Sequence, residues 1–111
     1  MEVVWSDFAI ATFIGVLSYI RTAFGEAVSR KIRKRIENTV QLLSNQPKMG
    51  VVDFDNSDNE VEYRYIVVQK SKIYYMIENN IVYILLVWDC RQNPDKLKTI
   101  LLDDNINKPT D

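Results

Sequence analysis

The chain opens on a short β-prone triplet, Val3, Val4 and Trp5, and then changes period. Ser6 followed by Asp7 supplies a helix N-cap and an acidic first turn. Beyond them Phe8, Ala11, Ile14, Leu17, Ile20 and Phe24 recur at three- and four-residue steps, which predicts a helix with that stripe as its apolar face, ending near Gly25. A second helix is predicted from Glu26 to Leu43, because Val28, Ile32, Ile36, Val40 and Leu43 fall within about 120° of one another. So short a connection makes the two helices antiparallel. After the breaker-rich loop Asn45 to Gly50 and an acidic stretch from Val51 to Glu62, the residue types become those of strands. Tyr63 to Val68, Ile73 to Glu78 and Ile81 to Trp88 are joined by turns at Lys70-Ser71 and Asn79-Asn80. Ile81 to Trp88 is apolar on both alternating faces, which predicts a central strand with helices over one side of the sheet. "DCRQNPDKLKTILL" reads as a turn and a short helix or edge segment, and residues 103–111 as a flexible tail. The order β-α-α-β-β-β predicts an α+β fold: an N-terminal strand and an antiparallel helical hairpin packed on a mainly antiparallel sheet, in one domain over residues 1–102.

Composition narrows the chemistry. With 111 residues, 47% of them hydrophobic and 26% charged, the chain is a single globular domain. It has no histidine and one cysteine, Cys90, so an internal disulfide, a tetrahedral zinc site and a Ser-His or Cys-His nucleophile are all excluded. A reducing cytoplasm is the expected compartment, with Cys90 a buried or half-buried filler. Asp53, Asp55 and Ser57 alternate as in a calcium loop, but Asp58 stands where glycine is required and Arg64 where a bidentate Glu is, so no metal and no cofactor are assigned. The apolar run from Phe8 to Ile20 is shorter than the ~20 residues that cross a bilayer, so it is read as a core helix and no membrane partner is expected.

Fourteen basic against fifteen acidic residues leave a formal charge of −1, so any polyanion site must be local. Arg30, Lys31, Arg33, Lys34 and Arg35 spread over about 200° of the second helix, opposite its apolar stripe. That is first a solvated face, and second a surface able to orient an acidic partner or a nucleic-acid backbone.

The strand "VVWSDFA", the helical segment "FGEAVSRKIRKRIENTVQLLSNQPKMG" and the run "EYRYIVVQKSKIYYMIENNIVYILLVWDCRQNP" together resemble the RelE/ParE superfamily of toxins from bacterial type II toxin-antitoxin systems. The likeness covers Val3 to Leu97, and the order and spacing of its parts carry it. It implies a small cytoplasmic toxin masked by a cognate antitoxin. The superfamily divides into members that cleave mRNA on the ribosome and members that poison DNA gyrase. Carried over by position, Arg64 in "YRYIV", Lys72 in "SKIYYM" and Arg91 in "WDCRQNP" sit at or near basic positions of the ribonuclease branch, and Tyr75 is an aromatic candidate beside them. A basic C-terminal helix with a reactive tyrosine is not evident.

Cleavage through the 2′-hydroxyl needs a base, a stabiliser of the charged phosphorane and an acid for the leaving oxygen. Arg64 and Arg91 suit only the second task, since guanidinium stays protonated and forks onto phosphate. Lys72 could act as a base if burial or neighbouring cations lowered its pKa, with Tyr74, Tyr75, Glu78 or Asp89 completing the set. This requires Arg64, Lys72 and Arg91 to share one hollow. The tyrosines on the strands suit base stacking, and equally suit ordinary sheet packing. Trp5, Phe24, Trp88 and Leu97, if exposed, are the candidate antitoxin contacts, since disordered tails fold onto such domains as an added strand or a helix in a groove. The missing histidine, the absence of a plain acid-base pair and the low charge favour poisoning by binding over mRNA cutting. An inactive interaction module and a homodimer of the free protein stay open as alternatives.

Overall fold

A computed structural model of the chain describes residues 1–92 and 94–101. The expected tail at 103–111 lies outside the described residues. The element order is β1 (Glu2–Trp5), α1 (Asp7–Phe24), α2 (Glu26–Leu42), β2 (Val51–Val52), β3 (Arg64–Val68), β4 (Ser71–Glu78), β5 (Ile81–Asp89) and α3 (Pro94–Leu101).

Ser6 caps α1 as its sequence position predicts, its Oγ accepting from the Ala9 N–H at 3.0 Å. Gly25, at φ 98°, separates α1 from α2, a left-handed conformation that glycine adopts without Cβ strain. The helices are tied together by the Ser29 hydroxyl, which donates to the Leu17 carbonyl at 2.9 Å.

The five strands lie in the order β1-β5-β4-β3-β2, parallel only where β1 meets β5. Asn79 and Asn80, at φ 53° and 65°, turn β4 into β5, the two-residue left-handed geometry that matches strand twist. β5 is interior, between β1 and β4, while β4 holds the geometric centre of the sheet. Within this pair Tyr74 faces Leu86 but Tyr75 faces Ile84, so Leu85 is an extra, unpaired residue. This β-bulge turns Leu85 and Leu86 toward the same core, and Ser6 Oγ donates to the Leu85 carbonyl at 3.3 Å.

Alternation along β4 defines two cores. Ile73, Tyr75 and Ile77 face the helical hairpin with Val82, Ile84 and Val87, against Ala9, Val16, Ile20, Ile36, Val40 and Leu43. Tyr74 and Met76 face the other way, where Leu97 and Leu101 of α3 close over Leu85, Leu86 and Trp88. The sheet is therefore covered on both faces, not on one.

The α1 stripe expected in the core is largely on the outside. Ile14 is 61% and Phe24 58% exposed, Ala11 is also exposed and Leu17 is half-buried, while Ala9, Val16 and Ile20 are buried. The reason is that α1 is apolar on most sides. Its mean hydropathy of 1.3 over 18 residues would by length and composition suit a membrane span. A helix with so little polar contrast has no periodicity that selects one face. In α2, which does have contrast, Ile36 and Val40 are buried as predicted, as is Leu43 at its C-cap, whereas Ile32 is half-buried and Val28, near the start of the helix, is 41% exposed.

Candidate functional site

Arg64 and Tyr75 are Cα partners across β3 and β4 and share the hairpin-facing side of the sheet. Both reach the loop that follows α2. The Tyr75 hydroxyl accepts from the Gly50 N–H and donates to the Pro47 carbonyl, each at 2.8 Å. Arg64 Nη1 donates to the Gly50 and Lys48 carbonyls at 2.8 and 3.2 Å, and its Nε to Glu62 at 3.0 Å. Gly50 is required there, since a Cβ at this position would lie 2.5 Å from the Tyr75 hydroxyl and 2.9 Å from the Tyr65 carbonyl oxygen. Burial pushes the Tyr75 phenol upward, partly offset by the Gly50 N–H and the Arg64 charge. A hydroxyl with its proton committed and a guanidinium committed to backbone carbonyls form a structural clamp.

Lys72 is three residues from Tyr75 on the same strand, hence on the opposite face. Its Nζ lies 4.5 Å from the centroid of Tyr65, which leans on Tyr74 at 5.5 Å. Tyr74 donates to Asp53 Oδ2 at 2.7 Å, and Asn56 donates to the same oxygen at 2.8 Å. Burial first, then the bonded and charged Asp53, drives the Tyr74 phenol far above its ordinary value. This row anchors the start of the acidic loop onto the sheet. Further along that loop, the Val61 and Glu60 amides hold the exposed Asp58 carboxyl below its usual range.

Arg91 lies past the far end of β5. Asp89 pairs with Ser71, four residues along β4 from Tyr75, a separation of about 13 Å along the strand. The Arg91 guanidinium donates to both Asp89 oxygens at 3.0 and 2.8 Å and stacks 4.8 Å from the Tyr19 ring centroid. These bonds lower the Asp89 carboxyl despite its partial burial, and raise Arg91. The common hollow expected of Arg64, Lys72 and Arg91 is therefore absent, because strand alternation and strand length separate them. Each arginine has a carboxylate beside it, Glu62 at Arg64 and Asp89 at Arg91, but the two pairs lie toward opposite ends of the β3-β4 strand pair and do not form one acid-base set.

The aromatic candidates also divide. Trp88 and Leu97 are 5% and 4% exposed, sealed between β5 and α3, so neither is a surface contact. Trp5 is half-buried, stacked on Phe13 at 5.2 Å, and with Val3, Ile10 and Val40 lines a groove of about 510 Å³ beside β1, an edge strand. Phe24 lines a second, mainly apolar groove of about 230 Å³ with Val16, Ile20, Val28 and Ile32, rimmed by Lys70 and Arg91. Sequence reasoning missed Ile10, Val28 and Lys70 in these grooves. The signal available for Ile10 was the surplus of apolar residues around α1. Cys90, expected to be buried or half-buried, is exposed.

An antiparallel helical hairpin on a β1-β5-β4-β3-β2 sheet, with grooves open along the helices, is an α+β fold of the kind found in a solved toxin-antitoxin system. The model of the family described as "ParE toxin of type II toxin-antitoxin system, parDE" matches residues 3–94, and the chain belongs to that family. A solved chain described as "Chromosomal ParDE TA system from P. aeruginosa" has the same fold, with a TM-score of 0.62 and 16% identity. The alignment covers 80% of this chain and 95% of that one. No curated protein sequence matches the chain.

Proposed function

We propose that this ParE-family toxin arrests growth in the cytoplasm by binding and poisoning DNA gyrase, and that a cognate antitoxin neutralises it. The observation that carries the non-nucleolytic reading is the commitment of Arg64 and the Tyr75 hydroxyl to the backbone of residues 47–50, on the opposite face from Lys72. RNA cleavage needs proton donors and acceptors that meet at one phosphate, and Lys72 lies across the sheet from Arg64 and Tyr75, whose polar atoms are taken up by backbone. The antitoxin is assigned to the grooves at Trp5 and Phe24, one beside an open strand edge and one between α1 and α2.

Inducible expression in a bacterial host tests the reading, with and without the small reading frame adjacent to the gene. The expected result is arrest that co-expression relieves, inhibition of gyrase in a supercoiling assay, and uncut mRNA in cell-free translation. Fresh mRNA ends in the translation reaction, with normal supercoiling, would instead assign the ribosome as target. Soluble protein that causes no arrest at all would leave the second reading, an inactive module that uses the same grooves to hold an antitoxin-like peptide.

A further inference from the structure

The outer arc of α2 is a concentration of unneutralised charge that neither the clamp nor the grooves use. Arg30, Lys31, Arg33, Lys34 and Arg35 are all exposed. Only Arg33 has an ion-pair partner among the described residues, Glu37 at 3.5 Å. The other four form two stacked like-charge pairs, Arg30 over Lys34 and Lys31 over Arg35, each four residues apart and about 6 Å along the axis. Such i,i+4 repulsion weakens a helix, and the two acidic residues of α2, Glu26 four residues before Arg30 and Glu37 three after Lys34, flank the ridge on its Arg30 side only and leave it net positive.

We propose that this arc is a docking site for the phosphate backbone of duplex DNA. The four cations span about 140° of the helix surface at 100° per residue, a convex ridge of the kind that lies along a groove. Between Arg30 and Arg35 the arc also holds Gln41, Ala27, Asn38 and, at the C-terminal end of the helix, the exposed Leu42. One leucine at the end of the ridge is not the row of i, i+3, i+4 and i+7 anchors by which an amphipathic peptide docks, whereas cations interleaved with amide side chains suit a phosphate backbone. Duplex DNA presents a charge every 1.7 Å of its axis, dense enough for each of four cations to meet a phosphate. The inference stands on this charge geometry and not on the gyrase reading, and its test contains no gyrase.

Fluorescence anisotropy of a labelled 20-base-pair duplex of arbitrary sequence, titrated with the full chain, measures the interaction. Four phosphate contacts predict a slope of log K against log salt near −3.6, about a 150-fold loss of affinity between 50 and 200 mM salt. The quadruple variant Arg30→Gln, Lys31→Gln, Lys34→Gln, Arg35→Gln should lose at least tenfold in affinity at 50 mM salt and most of the slope. Arg33→Gln should lose much less, because its charge is already paired. Circular dichroism of the quadruple variant, which changes exposed side chains only, establishes that it is folded. Equal affinity of a folded quadruple variant and the unsubstituted chain would overturn the assignment. So would an undetectable interaction at 50 mM salt, or displacement by polyglutamate as effective, charge for charge, as by unlabelled DNA.

Discussion

Removing one oxygen atom separates the structural role of Tyr75 from a catalytic one. Tyr75→Phe keeps the ring, and hence the packing against the hairpin core, but withdraws the acceptor for the Gly50 N–H and the donor for the Pro47 carbonyl. A buried polar group left without a partner costs about 1–3 kcal/mol. The Gly50 bond is buried and bears the full penalty, whereas the Pro47 carbonyl is partly accessible and can recruit water. The expected loss is therefore about 2–3 kcal/mol, a large share of the roughly 5–15 kcal/mol that holds a domain of this size folded. For a domain of about 100 residues that corresponds to a fall in Tm on the order of 10 °C, read by circular dichroism. Growth arrest at a permissive temperature should persist, because the hydroxyl is assigned no contact with target. A Tm within about 2 °C of the unsubstituted chain, combined with complete loss of arrest, would refute the clamp and restore Tyr75 as a reacting group.

Gly50→Ala drives a methyl group into the Tyr75 hydroxyl and the Tyr65 carbonyl oxygen, and should lower thermal stability at least as far as Tyr75→Phe; an unchanged melting curve contradicts the close approach. Stability should decline as pH rises past about 10, since unfolded tyrosines ionise there while Tyr74 and Tyr75 keep their protons in the fold, so the native state then binds more protons. Urea melts from pH 8 to 11 should show this slope reduced in Tyr74→Phe, and parallel slopes would speak against it. For Asp89 the sign is opposite: its carboxyl is lowered in the fold, so its contribution is present above pH 4 or so and lost as pH falls through its native value, an effect that Arg91→Gln should diminish. Trp5→Ala and Phe24→Ala should each weaken antitoxin binding by about tenfold or more in calorimetry, as expected of aromatic anchors, with only modest loss of stability for the exposed Phe24. Trp88→Ala should instead cost about 3–5 kcal/mol of folding stability.

The elements themselves were legible in the sequence because their signals are local. Ser6 followed by Asp7 marks a helix start, Gly25 divides two helices and Asn79-Asn80 turns a hairpin, each through chemistry confined to a few residues. The α2 core face was equally legible, since Ile36, Val40 and Leu43 contrast with a basic outer surface. Where that contrast is missing, only tertiary packing decides. α1 is apolar nearly all round, and its orientation is settled by Thr12, whose hydroxyl accepts from the Val87 N–H at 2.9 Å, and by Ala9, small enough to lie against the sheet. The bulge at Leu85 and the closure of α3 over Trp88 likewise depend on partners distant in sequence. The candidate site was read most poorly for the same reason. A sequence names which cations lie on strands, but which of them meet depends on register and on the face each occupies. One residue of alternation put Arg64 and Lys72 on opposite sides of the sheet, and the length of a strand pair put Arg91 at its other end.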